Sequence, residues 1–194
     1  MIVALYSSRP QCGKSTAATY LKDHHAFLPM PFADPLKKML EVLLAEVGLM
    51  QAQAWDILRG NAKEQPIRQL GGITGRRLMQ TLGTEWGREL DEDFWTGVMS
   101  AKLDTYSPTS RIVIDDMRFP NEYTLLKERG AVLVKIHRGQ RQIPAPGKSH
   151  ASEGSLDHHT FDYEIGNDGD IALLHAKLDS IMKTETHCRK FLYH

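Results

Sequence analysis

The sequence has few cysteines, no net charge and no long apolar run. Its 194 residues include only Cys12 and Cys188, too few for a disulfide framework or a zinc site. Lys plus Arg and Asp plus Glu both number 24. The basic excess that usually marks a nucleic-acid groove is therefore missing, and we expect no stable nucleic-acid partner. No apolar stretch approaches the roughly 20 residues that span a bilayer, and the first residues carry no charged leader, which predicts a cytoplasmic protein without a membrane partner.

What is present is ordinary globular composition with strands and helices in alternation. Hydrophobic residues make up 41% and charged residues 25% of the chain, which is typical of a soluble domain. Apolar periodicity predicts strands at 2–6, 26–30, 111–115, 131–136 and 163–165, and helices at 15–23, 34–47, 52–58, 75–90, 93–103, 121–129 and 170–182. This order predicts an α/β fold of three layers, a parallel sheet flanked by helices.

The predicted organisation is a single domain over 1–194 with two special regions. Residues of about 48–103 form a helical insert, and 138–160, rich in glycine, proline and basic residues but without an apolar face, form a mobile lid. The helix at 34–47 has the clearest ends. Asp34 is predicted as its N-cap, Pro35 as its first helical residue and Gly48 as its C-terminal cap.

A phosphate-binding loop is predicted between the first strand and the first helix. Residues 8–15 (SRPQCGKS) end in Gly-Lys-Ser, as a Walker A loop does. Gly13 lets the backbone approach phosphates, Lys14 can reach the β- and γ-phosphates, and the Ser15 hydroxyl can bind Mg²⁺. Ser8 replaces the first glycine of the motif, a position that often needs a special backbone angle. The residues predicted to bind ATP in this loop are Gln11, Cys12, Gly13, Lys14, Ser15 and Thr16.

Two carboxylates follow the strand at 111–115. Ligands of open parallel sheets bind at the carboxyl ends of the strands. Asp115 and Asp116 can therefore orient a hydrated Mg²⁺ together with Ser15. The alternative is a pair of solvated loop acids or a helix cap. Arg118 can fork onto a phosphate, although an arginine in a surface salt bridge is the simpler explanation.

The insert has two interpretations. Arg77 and Gln80 share one helix face with Thr84, which would suit a phosphate and the edge of a base. From spacing alone we favour the alternative, a solvated amphipathic helix whose Trp86 and Trp95 belong to the core.

Taken together, these residues resemble the deoxynucleoside monophosphate kinases encoded by tailed bacteriophages. The matching segments are 32–37 (FADPLK), 77–84 (RLMQTLGT), Arg88, Trp95, 116–122 (DMRFPNE), 150–153 (HASE) and 163–169 (YEIGNDG). The segment 116–122 is the most specific. The resemblance implies a P-loop nucleoside monophosphate kinase fold, ATP and Mg²⁺ as cofactors, a deoxynucleoside 5′-monophosphate as acceptor, a homodimer, and action in the host cytoplasm if the chain is phage-encoded.

The resemblance also implies roles for individual residues. The acceptor pocket would be lined by Asp34, Lys37, Arg77, Gln80, Arg88 and Trp95, with Arg118 positioning the acceptor phosphate. Arg138 and Arg141 would belong to the lid and act with Lys14 in catalysis. Asn167 and Asp168 would lie near the donor adenine.

The expected reaction needs no general base, because a phosphate monoester is already largely dianionic near neutral pH. Catalysis then consists of positioning and charge neutralisation, with the lid excluding water. Two alternatives stay open at this point. One is a P-loop kinase for another small metabolite, similar to dephospho-coenzyme A kinase. The other is a nucleotide-binding protein without phosphotransfer.

Overall fold

The computed structural model describes residues 1–139 and 154–192. The chain divides into two compact units, Met1–Pro31 with Tyr106–His194 (unit 1) and Phe32–Thr105 (unit 2). Unit 2 contains the whole of the predicted insert and also the helix that precedes it. Most of the predicted lid, including Arg141 and His150, lies outside the described residues.

The predicted strands and helices are all present, with a few additions. In chain order the elements are β1 (Ile2–Tyr6), α1 (Lys14–His25), β2 (Leu28–Pro29), α2 (Asp34–Glu46), α3 (Gln51–Leu58), β3 (Pro66–Ile67), β4 (Ile73–Thr74), α4 (Gly75–Gln80), α5 (Gly87–Leu90), α6 (Phe94–Asp104), β5 (Ile112–Ile114), α7 (Pro120–Glu128), β6 (Val132–His137), β7 (Tyr163–Gly166) and α8 (Ile171–Leu192). Short 3₁₀ turns cover Ala62–Glu64 and Arg68–Leu70. The sequence analysis missed the antiparallel pair β3–β4, which has only two residues in each strand and so no detectable periodicity.

Unit 1 is built on a five-stranded parallel sheet in the order β2-β5-β1-β6-β7. The central strand β1 pairs with β5 on one side and β6 on the other, so that Val3 lies opposite both Val113 and Val132. The α/β class predicted from the sequence is confirmed. Pro29 lies in the edge strand β2, where a residue without a backbone N–H is tolerated.

Both faces of this sheet are buried, as its apolar strands predict. Val3 and Leu5 point into a core formed with α1 and α8, to which Leu21 and Leu178 contribute. Successive side chains of a strand point to opposite faces, and the alternate residues of β1, Ala4 and Tyr6, are buried as well. Because neither face meets solvent, β1 reads as a continuous apolar run and not as an alternating one.

Helix α8 is longer than predicted and corrects the expected end at residue 182. It continues to Leu192 and takes in most of the polar tail. Tertiary contacts explain the extension, because the Tyr163 hydroxyl in β7 donates to Glu185 at 2.8 Å. Closer to the middle of the helix, Asp179 accepts hydrogen bonds from Tyr20 and His25 of α1, at 2.9 and 2.8 Å.

Unit 2 has its own apolar core. Three leucines of α2 recur at helical spacing and are buried, namely Leu36, Leu40 and Leu44. They pack with Ala54 and Leu58 of α3, Ile67 of β3 and Trp95 of α6. Within the part of the chain that the structure describes, no helix is both long and apolar enough to cross a membrane.

The C-terminal end of α2 agrees with the prediction from the sequence, and the N-terminal end corrects it. Gly48 has φ +81° and, with Leu49, returns hydrogen bonds to the last turn, a Schellman motif. At the start, the N-cap is Ala33, so that the prediction of Asp34 as the N-cap is wrong by one residue. Asp34 is already helical, and its carboxylate binds cationic side chains instead.

The predicted helix 75–90 is one helical stretch that changes its pitch. Residues Thr81–Trp86 form a π-helical segment between α4 and α5. At this segment the carbonyl of Gly83 accepts a hydrogen bond from the indole Nε1 of Trp95 at 2.8 Å. π-Helical turns are rare and are frequent at functional sites.

Candidate active site

The loop between β1 and α1 turns on two residues with positive φ. Gln11 has φ +59° and Gly13 has φ +100°. Ser8, which replaces the first glycine of the motif, is not among the described residues that have positive φ, so that its backbone does not need glycine there. The Ser7 hydroxyl donates to the carbonyl of Arg9 at 2.8 Å and closes the first turn of the loop.

Asn167 holds the loop from the end of β7. It is 5% exposed, and its side-chain Nδ2 donates to the carbonyl oxygen of Cys12 at 3.0 Å. A Cβ atom added to Gly13 would lie 2.4 Å from the same Nδ2. Glycine is therefore required at position 13 for two reasons, its backbone angle and the close approach of Asn167.

A pocket of about 310 Å³ opens beside the loop. Its lining joins the predicted ATP-binding residues Gln11–Thr16 to Asn167 and the predicted lid residue Arg138. The lining also includes residues that the sequence analysis missed, namely Gly169, Asp170, Ile171 and Leu174. Asp168 lies next to this pocket in the chain, and its carboxylate accepts a hydrogen bond from the backbone N–H of Gly139.

Lys14 lies among the charged residues of the neighbouring strand end. Its pKa is lowered, first because burial desolvates the ammonium group and then because Arg118 is close. The charges of Asp115 and Asp116 act in the opposite direction. The structure thus brings together the loop lysine, the two acids predicted to bind metal and the arginine predicted to bind phosphate. A half-buried cation whose pKa is lowered in this way is suited to binding an anion.

The helix-cap alternative for Asp115 and Asp116 does not hold. Helix α7 begins at Pro120 with Phe119 as its N-cap. The carboxylate that closes its first turn is that of Glu122, which is 4% exposed and accepts from the backbone N–H groups of Arg118 and Phe119 at 2.7 and 3.1 Å. Glu122 therefore fixes the backbone that carries Arg118.

The donor set near Lys14 fits Mg²⁺. The hydroxyl of Ser15 and the carboxylates of Asp115 and Asp116 are the hard oxygen ligands that this ion prefers. Among the described residues there is no cluster of three or more His, Cys, Asp or Glu side chains arranged for a metal. A dedicated cage is not needed, because Mg²⁺ usually keeps several waters and binds one or two carboxylates together with substrate phosphates.

In unit 2, Asp34 is the centre of an ion cluster. Its carboxylate lies 3.2 Å from Lys38, 3.3 Å from Arg59 and 3.4 Å from Lys102. Burial acts to raise the pKa of Asp34, but these partners, Lys38 first, lower it overall. Arg59 also pairs with Glu41. The predicted acceptor residue Asp34 thus ties α2 to α3 and α6.

The other predicted acceptor residues of unit 2 differ widely in exposure. Trp95 is 5% exposed and packs against Gly87, where a Cβ atom would lie 2.3 Å from its Nε1. Its burial agrees with the core alternative, whereas Trp86 is 41% exposed. Arg77 is exposed and pairs with Glu85 at 2.7 Å. Gln80 and Arg88 are both half-buried, and Arg88 donates to the carbonyl of Glu92 at 3.4 Å.

A cationic cluster in unit 2 adds a residue that the sequence analysis missed. Burial lowers the pKa of Lys63, and the nearby charges of Lys37 and Arg76 lower it further. Arg76 pairs with Glu64, but neither Lys37 nor Lys63 has a carboxylate within 4.0 Å among the described residues. Lys63 gives no signal in the sequence, because only the fold of unit 2 brings its 3₁₀ turn to α4.

The parallel sheet, with Gly-Lys-Ser between its first strand and first helix, is consistent with a P-loop kinase-like fold. Comparison with known proteins narrows the class. The family model for deoxynucleotide monophosphate kinase matches residues 51–178. A protein of Acanthamoeba polyphaga mimivirus, which carries the provisional name deoxynucleotide monophosphate kinase, is 33% identical over 139 residues, covering 65% of this chain and 68% of its own length. The chain belongs to the deoxynucleotide monophosphate kinase family, and it is a phosphotransferase that uses a nucleotide donor.

Proposed function

We propose that this kinase transfers the γ-phosphoryl group of ATP to a deoxynucleoside 5′-monophosphate and releases the diphosphate. The observation that carries the proposal is the set of charges around Lys14, where a half-buried ammonium, an arginine and two carboxylates act on one another at the phosphate loop. Such a set suits a polyphosphate with a bound cation. A dianionic acceptor needs no general base.

Lys14 supplies positive charge to the β- and γ-phosphates. Because Lys14 is desolvated before the nucleotide arrives, its attraction for phosphate acts in a medium of low dielectric constant. Ser15, Asp115 and Asp116 would hold Mg²⁺, which would supply further charge neutralisation on the phosphates. Arg118, whose backbone is fixed by Glu122, holds the acceptor phosphate as a planar fork.

Arg138 stabilises the charge on the group in transfer, together with Arg141. Arg138 lines the pocket beside the phosphate loop, and its Nε donates to the backbone carbonyl of Asn167 at 2.8 Å. We expect Arg138→Ala to lower kcat far more than it weakens ATP binding, because its charge acts mainly in the transition state. Arg129→Ala, at the end of α7, is the control. An unchanged kcat in Arg138→Ala would remove this residue from the catalytic set.

Unit 2, with the predicted insert, binds the acceptor. The role is supported by Lys37 and Lys63, whose ammonium groups have no carboxylate within 4.0 Å in the described part of the chain. Asp34, Arg77, Gln80, Arg88 and Trp95 would line the pocket with them. We expect Lys63→Met to raise KM for the monophosphate and to leave KM for ATP unchanged. Arg68→Met, in the neighbouring 3₁₀ turn, is the matched control, and equal effects of the two variants would argue against the role of Lys63.

The test of the reaction is a screen of acceptors. Purified protein is incubated with Mg-ATP and each deoxynucleoside and ribonucleoside monophosphate, while ADP and the diphosphate product are measured. Product with one or more deoxynucleotides establishes the acceptor class and gives the base preference. ATP binding without transfer to any of them would refute the proposed acceptor.

The remaining expectations concern the assembly and its setting. We propose a homodimer that acts in the cytoplasm without a stable nucleic-acid or membrane partner, as the resemblance and the composition imply. Light scattering on the purified protein tests the dimer. Binding assays with duplex DNA and with lipid vesicles test the expected absence of a nucleic-acid and a membrane partner.

A further inference from the structure

Asn167 connects three segments of unit 1 at one point. It follows directly on β7, and its backbone N–H donates to the carbonyl of His137 at 2.7 Å, which extends the pairing of β6 and β7 by one residue. Its backbone carbonyl accepts the Nε of Arg138 at 2.8 Å. Its side chain donates to the carbonyl of Cys12 at 3.0 Å, in a buried position.

The bond to Cys12 determines the direction of a neighbouring donor. In a planar trans peptide the C=O and the N–H point in opposite directions. When Asn167 holds the carbonyl oxygen of Cys12, it therefore turns the N–H of Gly13 away from itself. Backbone N–H groups at the start of a helix are the donors that bind phosphate, and Gly13 is the residue immediately before α1.

The close approach of Asn167 to Gly13 limits movement of the loop toward Asn167. The position of a Cβ atom on Gly13 would be only 2.4 Å from the Nδ2 of Asn167, so that the two residues are packed as closely as glycine allows. The same residue holds the guanidinium of Arg138 by its carbonyl. The loop and the arginine thus share one rigid reference point.

We propose that Asn167 is a positioning residue, which fixes the Cys12–Gly13 peptide and Arg138 relative to each other so that both meet the donor phosphates. In this role it acts through the loop and does not read the donor base. The inference rests on the proposed function only in that the loop binds the phosphates of ATP.

The test uses Asn167→Leu, which is close to asparagine in size but has neither the N–H donor nor a charge, together with Asn167→Ala. Binding of Mg-tripolyphosphate and of Mg-ATP is measured by calorimetry on the full chain. We expect both ligands to lose affinity by the same factor, about tenfold, which corresponds to one buried hydrogen bond. Should the alanine variant fail to fold, the leucine variant, which leaves no cavity, carries the test.

Lys177→Met is the matched control. Lys177 donates to the carbonyl of Gly166 at 2.6 Å, one residue before Asn167, and so it supports the same segment without a hydrogen bond to the loop. We expect its affinity for tripolyphosphate to stay within about twofold of the unmodified protein. That difference separates a role in the loop from a general loss of stability, which both variants would share.

Several results would overturn the proposal. If the Asn167 variants bind ATP more weakly but bind tripolyphosphate normally, Asn167 reads the nucleoside. If they melt at a lower temperature and keep both affinities, it is only part of the scaffold. If the unmodified chain binds no tripolyphosphate, the loop does not hold phosphates in this way. Failure of the acceptor screen alone would refute the proposed reaction and leave this binding result standing.

Discussion

Replacing Gly13 by alanine is the perturbation whose cost can be worked out most directly from the structure. The residue has φ +100°, and an L-residue in the left-handed region costs about 1 kcal/mol more than glycine. The new Cβ would lie 2.4 Å from the Nδ2 of Asn167. The amide must then leave the carbonyl of Cys12, and a buried polar pair without partners costs about 2 kcal/mol. We therefore expect Gly13→Ala to lower the free energy of unfolding by about 3 kcal/mol in total.

The matched control is Gly130→Ala in the same unit. Gly130 also has positive φ, +65°, but a Cβ atom there would meet nothing within 4 Å. Gly130→Ala should therefore lower the free energy of unfolding only by the backbone contribution, about 1 kcal/mol. In a chain of this length each kcal/mol lowers Tm by about 2–4 °C. We expect thermal unfolding without ligand to give a loss of about 6–12 °C for Gly13→Ala and about 2–4 °C for Gly130→Ala.

The two variants should also differ in activity. Gly13→Ala disturbs the phosphate loop and should lower kcat/KM for ATP, whereas Gly130→Ala should leave it unchanged, because Gly130 follows α7 and lies outside the pocket lining. Equal losses of Tm in the two variants would refute the reasoning. They would mean that the close approach of Asn167 to Gly13 does not contribute to stability.

Other predictions follow from burial and charge. Trp95→Phe removes a buried indole hydrogen bond and should lower the free energy of unfolding in denaturant by about 1–3 kcal/mol. Trp86→Phe, at an exposed residue, should lower it by less than about 1 kcal/mol. Equal losses would contradict the buried position of Trp95. The pKa of Asp179 is lowered, chiefly by its hydrogen bond to His25, so that its contribution to stability is present above pH 3.8 and is lost as the pH falls further. In Asp179→Asn, Tm should therefore fall less steeply as the pH is lowered through this acid range. Lys14→Met should raise Tm without ligand at pH 7 and should abolish ATP binding. The pKa of Lys14 is lowered, so that its charged form destabilises the folded state below that pKa. A lower Tm in Lys14→Met would contradict this direction.

Local sequence determined those parts of the molecule that depend on neighbouring residues. Gly-Lys-Ser after an apolar strand predicts a phosphate loop, since both the strand and the helix that frame it have their own periodicity. The acids at 115 and 116 end a buried strand, and parallel strands present their carboxyl ends at one edge, which predicts that these acids lie near Lys14. The charges that act on Lys14 agree with that prediction.

Tertiary structure alone decided the contacts between residues far apart in the chain. The bond from Asn167 to Cys12 joins positions 155 residues apart, and no pattern of residue types encodes it. Asp34 is a residue type typical of a helix N-cap, but its carboxylate pairs with Lys38, Arg59 and Lys102. These ion pairs form because the packing of unit 2 brings α3 and α6 to Asp34. Helix α8 passes its predicted end because Tyr163 binds Glu185. Periodicity and capping are properties of a segment, whereas these hydrogen bonds and ion pairs exist only once the segments have packed.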